Sequence, residues 1–510
     1  MQASIRSGAR LDKRRVSRST SPVRRAGRAL DEETTMRKMH AFWVAVVATA
    51  GAMVGAGCQA GGVADGPTAQ GPVTYWRDVK PILEARCEGC HGAGGVAPFA
   101  LDTYELASAQ AAAIVAATKS KNMPPWGAYD TADCKPTRPW KEDLRLSEAE
   151  LAILERWRDQ GAQAGDPATR PASRRQASAT LQNADVELAG QQPFTLTETK
   201  KDTFQCVVLD PGLTETRWVN GVEFVPGNAA IVHHAVLYID PTGESRSKMG
   251  PDGTYPCFGS AGVKDQALLG AWAPGARPNE YPANVGLPIG KGSLIVAQLH
   301  YHPSADPKVQ STPDASKLRI RWTKAKPEWN VTFALVGNYD KPVENGIGLY
   351  KDPSDPNALS EFVIPAGARD KTVTMRTTIP PDLKTGSIPR LYLYGIGAHM
   401  HYVGTKAQIT VRRLTPKDPE PQDECLLSIP RWDFNWQRGY EYDVPIESLP
   451  TLSQFDVLDI KCTYDNSMQN PKVVAALREQ NLTAPRDVSL GEETLDEMCL
   501  GVYQVLTKAQ

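Results

Sequence analysis

The chain has 510 residues, enough for two to four domains, and its 41% hydrophobic and 23% charged composition excludes wholesale disorder. Its formal net charge of −1 conceals an uneven distribution: residues 1–57 hold 11 Lys and Arg against 4 Asp and Glu, which leaves 46 cationic and 54 acidic side chains in the remainder. That mildly acidic body argues against a nucleic-acid partner.

Residues 1–57 read as a targeting segment. Met36-Arg37-Lys38 opens a basic region, Ala41 to Gly57 is apolar and small, and the run ends at Cys58, which is the layout of a signal peptide. Val54-Gly55-Ala56-Gly57-Cys58 resembles a lipobox. Cys58 would then carry lipid and anchor the mature chain to a membrane of the cell envelope, facing the periplasm or the cell surface. A cleaved secretory signal without lipid is the alternative, and translation could begin at Met1 or Met36. Residues 58–72, rich in Gly, Ala, Pro and Thr, form a tether.

Helical signals occupy 73–165. Asp78 can cap a first helix that tolerates Pro81 in its opening turn, Tyr104 to Thr118 is Ala-rich, and Ser147 with Glu150 forms a capping box ahead of Leu151, Leu154 and Trp157. Gly161 ends that helix. A small all-α domain is therefore expected, followed by a polar linker over 166–184.

Within that domain stands Cys87-Glu88-Gly89-Cys90-His91. Cys-x-x-Cys-His supplies two thiols for thioether links to haem vinyl groups and a neighbouring proximal iron ligand. A redox dithiol would favour a thioredoxin-like α/β context, and half a zinc site would need a second nearby pair. Covalent haem c is thus expected at Cys87, Cys90 and His91. Met123, in Met123-Pro124-Pro125, is the expected distal ligand; a core Met in a tight turn is its alternative. The domain resembles small cytochrome c domains that carry such a Met-Pro-Pro segment.

Beyond about Asp185, β-rich runs alternate with Pro/Gly turns: 230–239, 293–301, 318–322, 331–336, 391–396, 407–411 and 455–462. This texture predicts antiparallel β-sandwiches, two in tandem, over 185–345 and 346–510, with the seam near 340–355.

Only eight histidines occur. Apart from His40 and His91 they fall in three pairs: His233-His234, His300-x-His302 and His399-x-His401. Six imidazoles so placed point to metal. Residues two apart on a strand share a face, so His399 and His401 can chelate together. Adjacent His233 and His234 can share one ion only where the strand bulges.

The runs Val232-His233-His234-Ala235, Gln298-Leu299-His300-Tyr301-His302-Pro303, His399-Met400-His401-Tyr402-Val403-Gly404, Cys462-Thr463-Tyr464 and Asp496-Glu497-Met498-Cys499 follow one another in an order and spacing that resemble the copper type II, ascorbate-dependent monooxygenases. The resemblance covers about residues 185–510. It implies one copper ion held by His233, His234 and His300, and a second held by the catalytic set His399, His401 and Met498. It also implies disulfides Cys462–Cys499 and Cys206–Cys257, while Cys134 and Cys425 match nothing in the family. Ala235 stands where the family commonly has Met, Tyr503 is displaced from the family's Tyr position, and Met468 competes with Met498.

The implied activity is hydroxylation of a substrate C–H bond with O2. The fusion suggests that electrons reach copper through the haem, from an unknown donor such as another cytochrome or a quinol-linked carrier. An electron-transfer or copper-binding envelope protein without hydroxylase activity is the alternative. The small-molecule substrate is not legible.

Overall fold

The computed structural model describes residues 71–509, apart from 93–96, 173–179, 200–201, 274–275, 305, 382–388 and 492–494. Cys58 and the targeting segment lie outside the described residues. Among the described residues no helix is long and apolar enough to cross a membrane.

Helices concentrate between Tyr75 and Asp159. The chain enters through a π-helical turn, Tyr75–Val79, and continues as Lys80–Arg86 with Pro81 in the first turn. Asp78 therefore acts one turn earlier than the sequence suggests, its carboxylate accepting from the Thr74 amide at 2.7 Å. The Ala-rich run divides at Gln110 into Tyr104–Ala109 and Ala111–Lys119. Ser147 and Glu150 form the reciprocal capping box of Glu148–Asp159, and Gly161, at φ 83°, closes that helix. Tyr75, Leu83, Leu154 and Trp157 head a core of this part's own.

From Val186 to Lys508 the chain is mostly strand, compatible with β-sandwich domains. One five-stranded sheet centres on Leu294–Tyr301, which lies between Thr203–Leu209 and Val232–Asp240. All eight residues of that central strand are buried, and it is apolar from Leu294 to Ala297 before Gln298 and His300 enter it. A second five-stranded sheet centres on Val457–Tyr464, between Lys371–Thr378 and Gly404–Arg412.

A ten-stranded sheet covers both halves. It crosses between them where Val285–Ile289 pairs in parallel with Trp329–Gly337, Trp329 opposite Val285. Trp329–Gly337, which a seam near 340–355 would leave with the first half, pairs along its whole length with Leu500–Lys508 in the second. Ile295, Val222, Ile409 and Leu506 belong to one continuous core through both halves. Trp126, Ala128 and Trp140 join that core and not the helical one.

Three disulfides are formed: Cys206–Cys257, Cys462–Cys499 and Cys134–Cys425. The last links the segment after the Ala-rich helices to the strand Asp423–Ile429.

Candidate metal centres and the haem-motif segment

His233 and His234 sit at the start of Val232–Asp240, and the ladder to Leu294–Tyr301 shifts register between Val232 and His234. Val232 opposes Tyr301 and His234 opposes His300, so His233 is the extra residue of a bulge. The bulge turns both adjacent imidazoles to one side. His300 Nδ1 lies 3.3 Å from His233 Nδ1 and 3.2 Å from His234 Nδ1. One ring nitrogen from each of the three falls within 4.8 Å of the others, close enough to share a metal ion.

Burial, aided by the neighbouring His300, pushes His233 down to about 4, and burial drives His234 well below its ordinary value. Phe204 stacks on His300 with ring centroids 4.3 Å apart.

Asp202 holds the back of this cluster. Its Oδ2 lies 3.0 Å from His300 Nε2, near enough to pair though off the hydrogen-bond line, and its Oδ1 lies 2.7 Å from His302 Nδ1. Burial pushes this carboxyl up, but the two imidazoles outweigh it and hold Asp202 well below the usual carboxylate range. His302 is thus drawn to Asp202 and stands outside the trio. A carboxylate behind His300 leaves Nδ1 for the metal side and fixes ring orientation. Nothing in the sequence marks Asp202, because one carboxylate before a strand has no periodicity of its own.

His399 ends Leu391–His399, and His401 follows the buried Met400. Their rings lie 5.1 Å apart, nearly perpendicular. His399 Nδ1–H donates to Gln437 Oε1, and His401 Nδ1–H donates to the Asp496 carbonyl at 3.0 Å. Each bond consumes Nδ1 and leaves Nε2 for a ligand. Burial lowers His399.

Met498 precedes Leu500–Lys508, whose Leu500 opposes His399 at the end of the ladder. Glu497 fixes this juncture. Its Oε2 accepts from the amides of His401 at 2.6 Å and Met498 at 2.8 Å, and its Oε1 accepts from Gly404 at 3.1 Å. Burial nevertheless pushes the carboxyl up to about 8. A Cβ at Gly404 would fall 2.9 Å from Met400 Cβ, so only glycine lets the chain turn this closely after His401. Met468 is 52% exposed, whereas Cys499, beside Met498, is fully buried in its disulfide. Tyr503 is buried within the last strand.

The two clusters approach each other. A charge on His399 bears on His234, and the Phe434 ring lies 5.9 Å from His233 and 6.2 Å from His401. Phe434 and Gln437 come from a loop that no sequence motif marks.

In the helical part, Cys87 and Cys90 are unpaired, half-buried thiols at the turn Glu88–His91. Burial raises both, Cys87 to about 12, the opposite of a reactive dithiol. His91 Nδ1–H donates to the Phe99 carbonyl at 2.9 Å, leaving Nε2 for a ligand. Met123 is half-buried just past Ala111–Lys119.

A bulged His-His pair facing a third histidine, and a second His-x-His set beside a methionine, define a β-rich protein with two candidate metal centres. Residues 191–307 match the family model of the copper type II ascorbate-dependent monooxygenase, N-terminal domain. The chain is similar to dopamine beta-hydroxylase of Rattus norvegicus, 24% identical over 302 residues that cover 56% of this chain and 39% of that protein. The proteins of that name from Canis lupus familiaris and Homo sapiens are 22% and 23% identical, over 54% and 47% of this chain and 40% and 35% of theirs. The chain thus spans about two fifths of the length of these relatives. Among solved structures, the major capsid protein of bacteriophage PM2 overlaps 64% of this chain and 98% of its own at 8% identity, with a TM-score of 0.23 that carries no argument. The family match and the relatives support kinship with the copper monooxygenases.

Proposed function

We propose that this protein is a copper-dependent monooxygenase that hydroxylates a C–H bond of a small molecule with O2, receiving electrons through a covalently bound haem c. The observation that carries the reading is the bulge at His233, which gathers three imidazoles where a regular strand would separate two of them. The donor sets fit copper of two characters. Three imidazoles suit an ion that cycles between oxidation states, and two imidazoles with the Met498 thioether favour Cu(I). Bound copper would supply one-electron chemistry towards O2 that no side chain here can provide. The chain itself keeps His233 and His234 unprotonated, orients His300 through Asp202, and fixes the His401–Met498 juncture through Glu497.

The haem reading rests on Cys87, Cys90 and His91, with Met123 as distal ligand. The Phe99 carbonyl holds His91 in the tautomer that iron needs. Three disulfides favour an oxidising compartment, which suits export and a lipid anchor at Cys58.

Metal and haem analysis of the mature protein, made in a host that attaches haem c, tests the reading. We expect two coppers and one haem that survives a denaturing gel. His233→Ala and His399→Ala should each lower copper from two towards one, and oxygen uptake by the reduced protein should rise with substrate. A wild type that binds no copper overturns the monooxygenase reading. Two coppers and a haem without substrate-dependent oxygen uptake favour an electron-transfer protein.

A further inference from the structure

The loop from Asp433 to Gly439 is where the helical part and both histidine clusters meet. Gln437 accepts from His399. Three residues earlier in the same turn region, the Phe434 ring faces His233 at a 26° tilt, meets His401 edge-on and stacks on Tyr402 with centroids 4.2 Å apart. Next to Gln437, the Arg438 guanidinium lies over the Trp126 ring, 4.8 Å from its centroid and three residues beyond Met123. Burial, aided by the neighbouring Arg277, lowers Arg438 from its ordinary value. Arg277 in turn reaches the haem motif: a Cβ on Gly89 would fall 3.1 Å from its Nη2.

The surroundings hold this junction rigid. Gly127 donates to the Tyr440 hydroxyl at 3.0 Å, Trp140 stacks on Tyr442 at 4.7 Å, and Arg431 donates to the carbonyls of Ser120 and Lys121. The Cys134–Cys425 bond closes it covalently. None of these contacts is needed to build a β-sandwich. Together they pin the segment 120–140, which follows the Ala-rich helices, beside the loop that touches both clusters.

We propose that residues Phe434–Arg438 are the electron path of this protein, entering from the Trp126 ring at Arg438 and leaving through Gln437 to His399 and through the Phe434 ring to His233 and His401. The proposal rests on the reading that haem occupies 87–91 and copper the two clusters. Each step moves one electron. With haem and copper bound, ferrous iron would become ferric as Cu(II) became Cu(I), with no bond formed or broken and no proton moved. The path is short in residues, runs through covalent and hydrogen bonds on one branch and through stacked rings on the other, and has no loop of its own to order. Arg277 and Arg438 also suit the carboxylates of a haem edge, which would orient it towards the loop. Gln437 and Phe434 are positioning residues on this account.

Anaerobic, full-length protein loaded with haem and Cu(II) tests the route. A photoreductant injects one electron into the haem, and the decay of the ferrous α-band is followed. Phe434→Ala with Gln437→Leu should slow that decay by about tenfold, with copper stoichiometry unchanged. Phe434→Tyr and Gln437→Glu, which keep ring and acceptor, should restore it. In Gln437→Leu alone, the Cu(II) hyperfine signature of the second centre should shift. Unchanged decay in the double variant, with haem and copper both present, overturns the route and leaves the proposed function standing. Absence of either cofactor from the wild type overturns both.

Discussion

Met498 and Met468 show how burial separates two residues that sequence leaves in competition. Met468 projects at 52% exposure, while Met498 lies at a juncture whose amides are held by Glu497. Met498→Leu should leave Cu(II) bound but sharply weaken Cu(I) retention, since thioether is the soft donor of the set. Met468→Leu should behave as wild type in a Cu(I) competition titration; equal losses would unseat Met498. His233 gives a pH expectation for the apoprotein. Its folded value, about 4, lies below the ordinary 6.5, so the unfolded chain binds the extra proton between the two. This stability is complete above about pH 6.5 and is lost as pH falls towards 4. Melting temperatures of apoprotein across that window should fall more steeply in wild type than in His233→Asn, and parallel curves would refute the expectation. The paired histidines stood out in the sequence because His is rare in the chain, and three of them, His233, His234 and His300, converge in the fold. Asp202, Phe434 and Gln437 did not stand out, because their roles exist only once distant strands and loops converge.

At the scale of elements, the bulge at His233 was deducible from adjacency alone, as two neighbours on a flat strand cannot share an ion. The buried strands at Leu294–Tyr301 and Val457–Tyr464 announced themselves by composition. Lys371–Thr378 and Leu500–Lys508 did not, because polar residues interrupt their alternation and long-range pairing decides them. Glu497 is the element-scale device that sequence named without explaining. It seals the open end of Leu391–His399 to the start of the last strand through three backbone amides. Glu497→Ala would strand three buried N–H donors at about 1–3 kcal/mol each. We expect a loss of several kcal/mol in urea unfolding, together with loss of copper from the second centre and not the first. Normal occupancy of both would show that the amides find other acceptors.

For the whole molecule, the tether between the helical part and the second half rests on Cys134–Cys425, separated by 291 residues in sequence. Removing it as the paired Cys134→Ser, Cys425→Ser variant should leave each core intact but free the intervening segment. Limited proteolysis should then cut between residues 120 and 140 in the variant and spare the wild type; a single unfolding free energy would not describe a chain with two cores. Similar digestion patterns would assign the hold to the Trp126 and Trp140 packing alone. The β-rich region, and the helices between Tyr75 and Asp159, were legible from texture. Their junction was not, since it depends on side chains some 300 positions apart.

The parallel pairing of Val285–Ile289 with Trp329–Gly337 carries the backbone ladder from one half into the other. Two modules joined only by a linker could swing apart between turnovers, and a reaction needing both centres would wait for them to meet. Here a hinge motion would have to break sheet hydrogen bonds and open a shared apolar core. The spacing of the two histidine clusters is therefore a property of the fold, and on the proposed reading a substrate would have to come to a space whose width the shared sheet sets.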